Sequence, residues 1–401
     1  MKKPSMWTVI ICGALILTLA TGLRQTMGLF LKPISLDLEI GREVFGFGIA
    51  IQNLLWGLAA PFAGAMADRY GTGRVGVIGG LLYMIGLAVM GLSTGGGTLT
   101  FANFFIGIGL GFTGFSAVLG AVGRVTPPEK RSVALGIVTA GGSFGQFAVV
   151  PYGHLLLDSW GWQIALFVLA GTAFLMVPLS RGIAGFIGVQ NTTGQSMKGA
   201  LGEAFTHRGY QLMVAGFFVC GFHVAFVATH LPAYLADKAM PSWLGAWTLA
   251  TIGLFNIAGS YVWGWLGGRY RKKWLLSILY TLRAVVFLCF ILAPLSNASV
   301  LIFGGALGFL WLGTVPLTSG LVAQIFGLTY MSTLYGVVFL SHQVGSFFGA
   351  WMGGYLFDLT GSYQAMWWFS VALGLFSGLV HLPIADQPMA RLAAKPATAS
   401  A

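Results

Sequence analysis

Arg24 stands in the stretch ATGLRQTMGLFLKP, at the end of an apolar run that begins at Met6. A second arginine, Arg283, lies ten residues past Lys273 inside another apolar run. A guanidinium in hydrocarbon costs about 2.5–3.5 kcal/mol on insertion scales. Its natural chemistry is anion recognition, because the planar fork offers two parallel N–H donors to a carboxylate. None of the 10 acidic residues falls in the middle of an apolar run, so no carboxylate of the chain matches either arginine in depth. An anion brought from outside would supply the missing partner, and Arg24 is read as its receiver. Arg283 has two readings: a second substrate contact, or a brace on backbone carbonyls or Asn256.

His223 and His230 are two helical turns apart and share one helix face. Histidine titrates near neutrality and can carry a proton where carboxylates are missing. His223 and His230 are therefore candidates for proton coupling, and His223 also for substrate contact. A proton riding on the substrate's own carboxylate, or histidines that only pack, are the open alternatives. Asn53, Tyr83, Gln146, His342 and Gln343 are polar positions able to line a cavity, as are Asn103, Tyr280 and Trp311. The competing role is interfacial anchoring for the aromatics and interhelical hydrogen bonding for the amides.

These residues need spans to hold them. The chain is 57% hydrophobic and 8% charged, far below the usual quarter, which excludes a soluble globular enzyme. Apolar runs long enough to cross a bilayer are expected near 7–31, 44–66, 75–93, 100–122, 132–157, 162–180, 210–235, 244–266, 274–293, 300–322, 332–356 and 364–383. The first is too long for a signal peptide and carries Arg24, so it stays as a span, extended past Pro33. With both termini on the cytoplasmic side, 16 of the 21 basic residues fall on that side, as the positive-inside rule requires. The net charge of +11 is then a topology signal, and nucleic acid is not an expected partner. Cys12, Cys220 and Cys289 are scattered among spans, so neither metal nor disulfide is expected. The glycine runs at 107–114 and 141–145 follow no strand and suit close helix packing rather than phosphate binding.

The second half echoes the first at an offset close to 200. Gly136, Gly145, Gly153, Asp158 and Gly161 meet Gly336, Gly345, Gly353, Asp358 and Gly361, while Arg24 and Pro33 meet His223 and Pro232 at an offset of 199. Six spans return the chain to its starting side, so two parallel six-helix repeats are expected, with a site between them near mid-membrane. The domains are a first half over 1–182, a cytoplasmic linker over 183–208, a second half over 209–385 and a tail over 386–401.

The loop GAMADRYGTGR, Gly64 to Arg74, resembles the signature between helices 2 and 3 of the major facilitator superfamily, with Gly64, Asp68, Arg69, Gly71 and Arg74 at the motif positions. The resemblance implies that this loop is a gating latch. GLRQTMGLFLKPI and ALGIVTAGGSFGQ are similar to the monocarboxylate and oxalate–formate branch, in which a basic residue precedes the G-[LV]-F stretch, as Arg24 does. That branch carries an arginine in helix 8, where this chain reads NIAGSYVWG. The implied fold is an all-α membrane bundle of twelve transmembrane helices. The implied function is secondary transport of a small monocarboxylate or dicarboxylate, by proton symport or anion exchange. Efflux of drugs or toxic metabolites is the alternative. A monomer in the inner (plasma) membrane, with no cofactor and no enzymatic activity, completes the expectation.

Overall fold

The computed structural model describes residues 4–184, 196–327 and 330–389, leaving out the side chains at 68, 116, 124, 128, 129, 131–133 and 332. Among the described residues there are helices and no strand. They are α1 (Met6–Asp37), α2 (Arg42–Tyr70), α3 (Thr72–Gly91), α4 (Gly96–Thr113), α5 (Phe115–Val125), α6 (Pro128–Phe174), α7 (Met176–Gly182), α8 (Met197–Thr206), α9 (Arg208–Asp237), α10 (Ser242–Gly267), α11 (Lys272–Leu292), α12 (Asn297–Phe309), α13 (Thr314–Phe326), α14 (Met331–Thr360) and α15 (Gln364–His381). Among the described residues nine helical stretches are long and apolar enough to cross a membrane. One of them, Ala134–Gly182, is two passes joined at Gly161, where φ is +74°. With α14 and α15 the bundle makes twelve passes. Large apolar side chains such as Phe62, Leu155, Tyr261 and Ile302 stay exposed on its outside, as a lipid-facing surface requires.

The first span runs past Pro33 as expected, to Asp37. Two spans differ in detail from their sequence pattern. The fourth and tenth are each broken: Gly114, in extended backbone, separates α4 from α5, and residues 310–313 separate α12 from α13. Within the polar stretch 183–208, residues 197–206 form α8, and 185–195 lie outside the described residues. The tail is partly described. Asp386 takes both Arg271 Nε (3.0 Å) and Nη2 (2.6 Å), and that guanidinium holds its carboxyl below the usual carboxylate range.

The offset of 200 is visible in the backbone. Glu39 and Ala239 both turn into positive φ (52° and 53°), and so do Gly161 and Gly361 (74° and 66°). In each half the first helix packs on the fifth through glycine. Thr18 and Thr21 donate to the carbonyls of Gly141 and Gly142, and a side chain at Gly145 would run into the Thr18 carbonyl. In the second half Ser346 donates to the Gly221 carbonyl, and a side chain at Gly345 would strike Phe218. Such contacts are what small residues in membrane helices allow. The helices α1 and α9 become the centre of the bundle: every residue from Val219 to Leu231 is buried, and from Ala20 to Leu31 every residue but one. The exception is Arg24.

Candidate functional site

Arg24 keeps a partly exposed side chain on an otherwise enclosed stretch of α1. Its Nε and Nη2 both donate to Asn53 Oδ1, at 3.2 and 2.8 Å, and its guanidinium lies 5.0 Å from the Trp56 ring centroid. Asn53 is positioned by its own Nδ2, which donates to the Ile49 carbonyl one turn back in α2. The acceptor offered to Arg24 is a neutral amide oxygen, and among the described residues no carboxylate pairs with it. One side of the fork is used by Asn53. The other, the end-on edge between Nη1 and Nη2, retains N–H donors for a carboxylate.

The second half closes on this group through α14. Trp56 meets Phe339 edge-on at 5.5 Å, Phe339 stacks on His342 at 5.6 Å, and a methyl group at Gly57 would come within 2.8 Å of Gln343. Gln343 Nε2 is buried without a partner. Arg24 and Asn53 thus lie beside Trp56, and His342 and Gln343 adjoin them through Phe339 and Gly57; Trp56 is a residue that sequence reasoning did not single out. Its signal was there: Trp56 follows Asn53 by three residues and so shares its helix face. Gln146 is buried on α6 at the second seam, where α10 packs against its backbone at Gly253 and Asn256 Nδ2 donates to Ser143 Oγ at 3.1 Å. Tyr83 is fully buried and donates to the Ala20 carbonyl, supporting α1 one turn before Arg24.

The remaining candidates sit elsewhere. His223 is fully buried, with Nε2 on the Ser370 carbonyl (2.9 Å) and its ring against Phe287, turned to α15 and α11. His230 uses Nε2 on the Ala350 carbonyl (2.7 Å) and Nδ1 on the Tyr363 hydroxyl (3.2 Å). Arg283 is fully buried and donates through Nε (3.0 Å) and Nη2 (2.6 Å) to the Leu310 carbonyl, and through Nη2 to that of Trp311. These carbonyls end α12, where a helix leaves acceptors unpaired and carries partial negative charge. Asn256 takes the other lip of the break, accepting from the Leu312 N–H at 3.1 Å. Of the two readings of Arg283, its geometry is that of the brace. We expect Arg283→Met to lower stability by about 1–3 kcal/mol, for buried carbonyls left unpaired, while carboxylate-induced thermal shifts persist. Unfolding curves with and without ligand would check both.

In the loop motif, Gly71 ends α2 and begins α3 with φ +91°, and its N–H returns to the Ala67 carbonyl at 2.9 Å. Arg69 and Arg74 are exposed, Gly64 has open space around it, and the Asp68 side chain lies outside the described residues. A Cβ at Gly71 meets no neighbour, but positive φ is costly for any other residue. Gly71→Ala should therefore cost about 1–3 kcal/mol, seen as a lowered Tm.

At the opposite end of the bundle the halves are tied by ions. Arg42 at the start of α2 chelates Asp237 at the end of α9 (Nη1 2.5 Å, Nη2 2.8 Å), and Lys32 reaches the same carboxylate at 3.1 Å. Arg42 also donates to the Tyr363 hydroxyl (3.0 Å) and lies 3.7 Å over the Phe357 ring. Asp358 accepts the backbone N–H groups of Arg42 (3.1 Å) and Glu43 (2.7 Å). It thereby caps α2 from the other half, since Gly41 at the N-cap has no side chain to do so. Its repeat counterpart Asp158, exposed like Asp358, makes no such cap among the described residues. The sequence reading placed these charges at span ends and did not pair them.

An all-helical membrane bundle of twelve passes, folded as two mutually similar halves with a polar group on the seam, has the architecture of a transporter and not of an enzyme. The chain belongs to the Major Facilitator Superfamily, whose profile matches residues 13–313 and 244–400. It is 22% identical over 388 residues to the uncharacterized MFS-type transporter YcxA of Bacillus subtilis (strain 168), covering 92% of each chain. It is 24% identical over 372 residues to monocarboxylate transporter 13 of Rattus norvegicus, covering 90% of this chain and 84% of that one. Among solved structures, the inward-facing, unoccupied form of a bacterial homolog of the human lysosomal transporter Spinster matches with a TM-score of 0.74 at 14% identity. That match covers 95% of this chain and 94% of the other, and it speaks for the fold alone.

Proposed function

We propose that this protein is a secondary transporter of a small monocarboxylate, with Arg24 receiving the carboxylate between the halves. One observation carries the reading: a partly exposed guanidinium at the seam, held by an amide oxygen and not by a carboxylate. Arg283 is fully buried, with Nε and Nη2 on the Leu310 and Trp311 carbonyls and only Nη1 unpartnered, so Arg24 is the one accessible carboxylate-sized charge among the candidates, which favours monocarboxylates over dicarboxylates. Relatives named monocarboxylate transporters support the substrate class. We place the terminus-bearing end in the cytoplasm, on the strength of its basic residues. The Arg42–Asp237 latch must then open when the site turns to the other side.

The test is a thermal-shift panel on the purified chain with lactate, pyruvate, benzoate, oxalate, inorganic anions and lipophilic cations. A ligand that binds only the folded state stabilises it by RT ln(1 + [L]/Kd). Stabilisation by monocarboxylates above oxalate is the expected result. Shifts confined to lipophilic cations would replace this reading with efflux.

His230 has both ring nitrogens bonded, to a carbonyl and a phenol, and His223 has Nε2 on a carbonyl while its Nδ1 is buried without a partner, away from Arg24; this favours anion exchange, or symport with the proton on the substrate carboxylate, over a histidine carrier. His223→Gln and His230→Gln should keep gradient-driven accumulation in proteoliposomes. Loss of accumulation with counterflow intact would return the proton to the histidine concerned.

A further inference from the structure

Beside the ionic latch lies a cleft of about 880 Å³ that neither the substrate site nor the latch uses. Its walls are Glu43 and Phe47 from α2, Phe347 and Trp351 from α14, and the bare backbone of Gly96 and Gly97 from α4. Glu43 and Phe47 are one turn apart, as are Phe347 and Trp351, so the two helices from different halves form a ladder. One rung is Trp351 Nε1 donating to Glu43 Oε1 at 3.0 Å, and the other is Phe47 edge-on to Phe347 at 6.1 Å. A methyl group added at Gly97 would meet nothing within 4 Å, so the α4 side is open.

Charge in the cleft is unbalanced. Among the described residues Glu43 Oε2 accepts no hydrogen bond and no cation pairs with Glu43. The adjacent Arg42 is committed to Asp237, Tyr363 and the Phe357 ring. A carboxylate oxygen beside aromatic faces is the environment that attracts an organic ammonium. Depth narrows the class further. Glu43 is the second residue of α2 and Gly96 the first of α4, while Trp351 is seven residues before Asp358, about 10 Å along the helix. The cleft therefore lies at the level where headgroups meet acyl chains, the usual station of membrane aromatics. Farther along α4, the exposed rings of Phe101 and Phe104 continue an apolar surface toward mid-membrane.

We propose that this cleft binds the headgroup of a membrane phospholipid carrying a primary ammonium. The ammonium donates to Glu43 Oε2 against the aromatic walls, and the acyl chains follow the exposed face of α4. A primary amine fits better than a quaternary one, because only the former has N–H to give the free oxygen. The bound lipid touches both halves and holds them together at the latch end.

The full chain, purified in detergent, is titrated with dioleoyl phosphatidylethanolamine, with dioleoyl phosphatidylglycerol and with soluble ethanolamine. Binding is read by native mass spectrometry and by thermal shift. The ethanolamine lipid should bind about tenfold more tightly than the glycerol lipid, from one charge-assisted hydrogen bond and one cation–π contact. Glu43→Gln, whose amide oxygen still serves Trp351, should erase that preference. Gly97→Leu, which fills the cleft from α4 and leaves Glu43 in place, should erase it too. Equal binding of the two lipids, or a preference that survives both variants, overturns the proposal. An equal shift from soluble ethanolamine overturns the lipid as occupant.

Discussion

Arg24→Ala removes carboxylate-dependent stabilisation and lowers carboxylate uptake by about two orders of magnitude, the worth of two charge-assisted hydrogen bonds. The fold should survive, because Arg24 makes its hydrogen bonds to Asn53 alone and Asn53 keeps its bond to the Ile49 carbonyl. Arg24→Lys should retain weak transport, since a point charge remains while the fork is lost. Asn53→Asp separates a substrate role from a structural one more sharply. It places a carboxylate 3 Å from the guanidinium and gives Arg24 a permanent anion. The variant trades the Nδ2 bond to the Ile49 carbonyl for an ion pair with Arg24, and should stay folded yet no longer respond to added carboxylates. Proteoliposome uptake and thermal shift on the three variants decide the matter. Normal uptake by Arg24→Ala would make the arginine structural and end the monocarboxylate reading.

Arg42→Ala opens the latch end. The Arg42 and Asp237 side chains are 11% and 24% exposed, so solvent screens the pair only in part. Breaking it should move the balance between the two access states by about 1–3 kcal/mol, roughly five- to a hundredfold. Spin labels at Leu36→Cys and Ala236→Cys, both exposed at the ends of α1 and α9, would report the change as a longer interlabel distance. The three native cysteines are first replaced by serine. Asp237→Asn should act in the same direction, and more so because Lys32 loses its partner as well. An unchanged distance in both variants would mean that the Asp358 cap on α2, and not the ion pair, holds the halves.

Hydropathy was enough to find the spans, because a backbone in lipid must satisfy itself as helix. The repeat was legible too, since glycines and aspartates recur where geometry demands them: Gly161 and Gly361 both sit at positive φ, which other residues rarely adopt. Arg24 stood out for the same kind of reason, as a cost that the sequence does not offset. What the sequence hid was direction. Arg24 and Arg283 are equally apolar in their surroundings, yet one meets an amide on the seam and the other the broken end of α12. That difference depends on where the tenth span breaks, and Gly313 and Pro316, which mark the break, do not stand out among the other glycines of 300–322. His223 was linked to Arg24 by repeat position, but a repeat fixes backbone, and its side chain points to a different neighbour. Trp56 read as one of many aromatics until Phe339 gave it a partner across the seam.

The break in the fourth span has no brace of the Arg283 kind. At the position 200 before Arg283 stands Tyr83, which reaches Ala20 of α1 instead. Among the described residues no charged side chain clamps the carbonyls around Gly114, and the nearest group from another helix is the Trp56 indole, whose nitrogen would lie 3.2 Å from a Cβ placed there. The halves are therefore alike in shape and unlike in stiffness: one carries a riveted joint, the other a compliant one resting against the ring beside Arg24. Amide hydrogens around 114–118 should exchange faster than those around 312–316. A solute lodged against Trp56 would press on the soft joint first, so the first half yields while the second keeps its form.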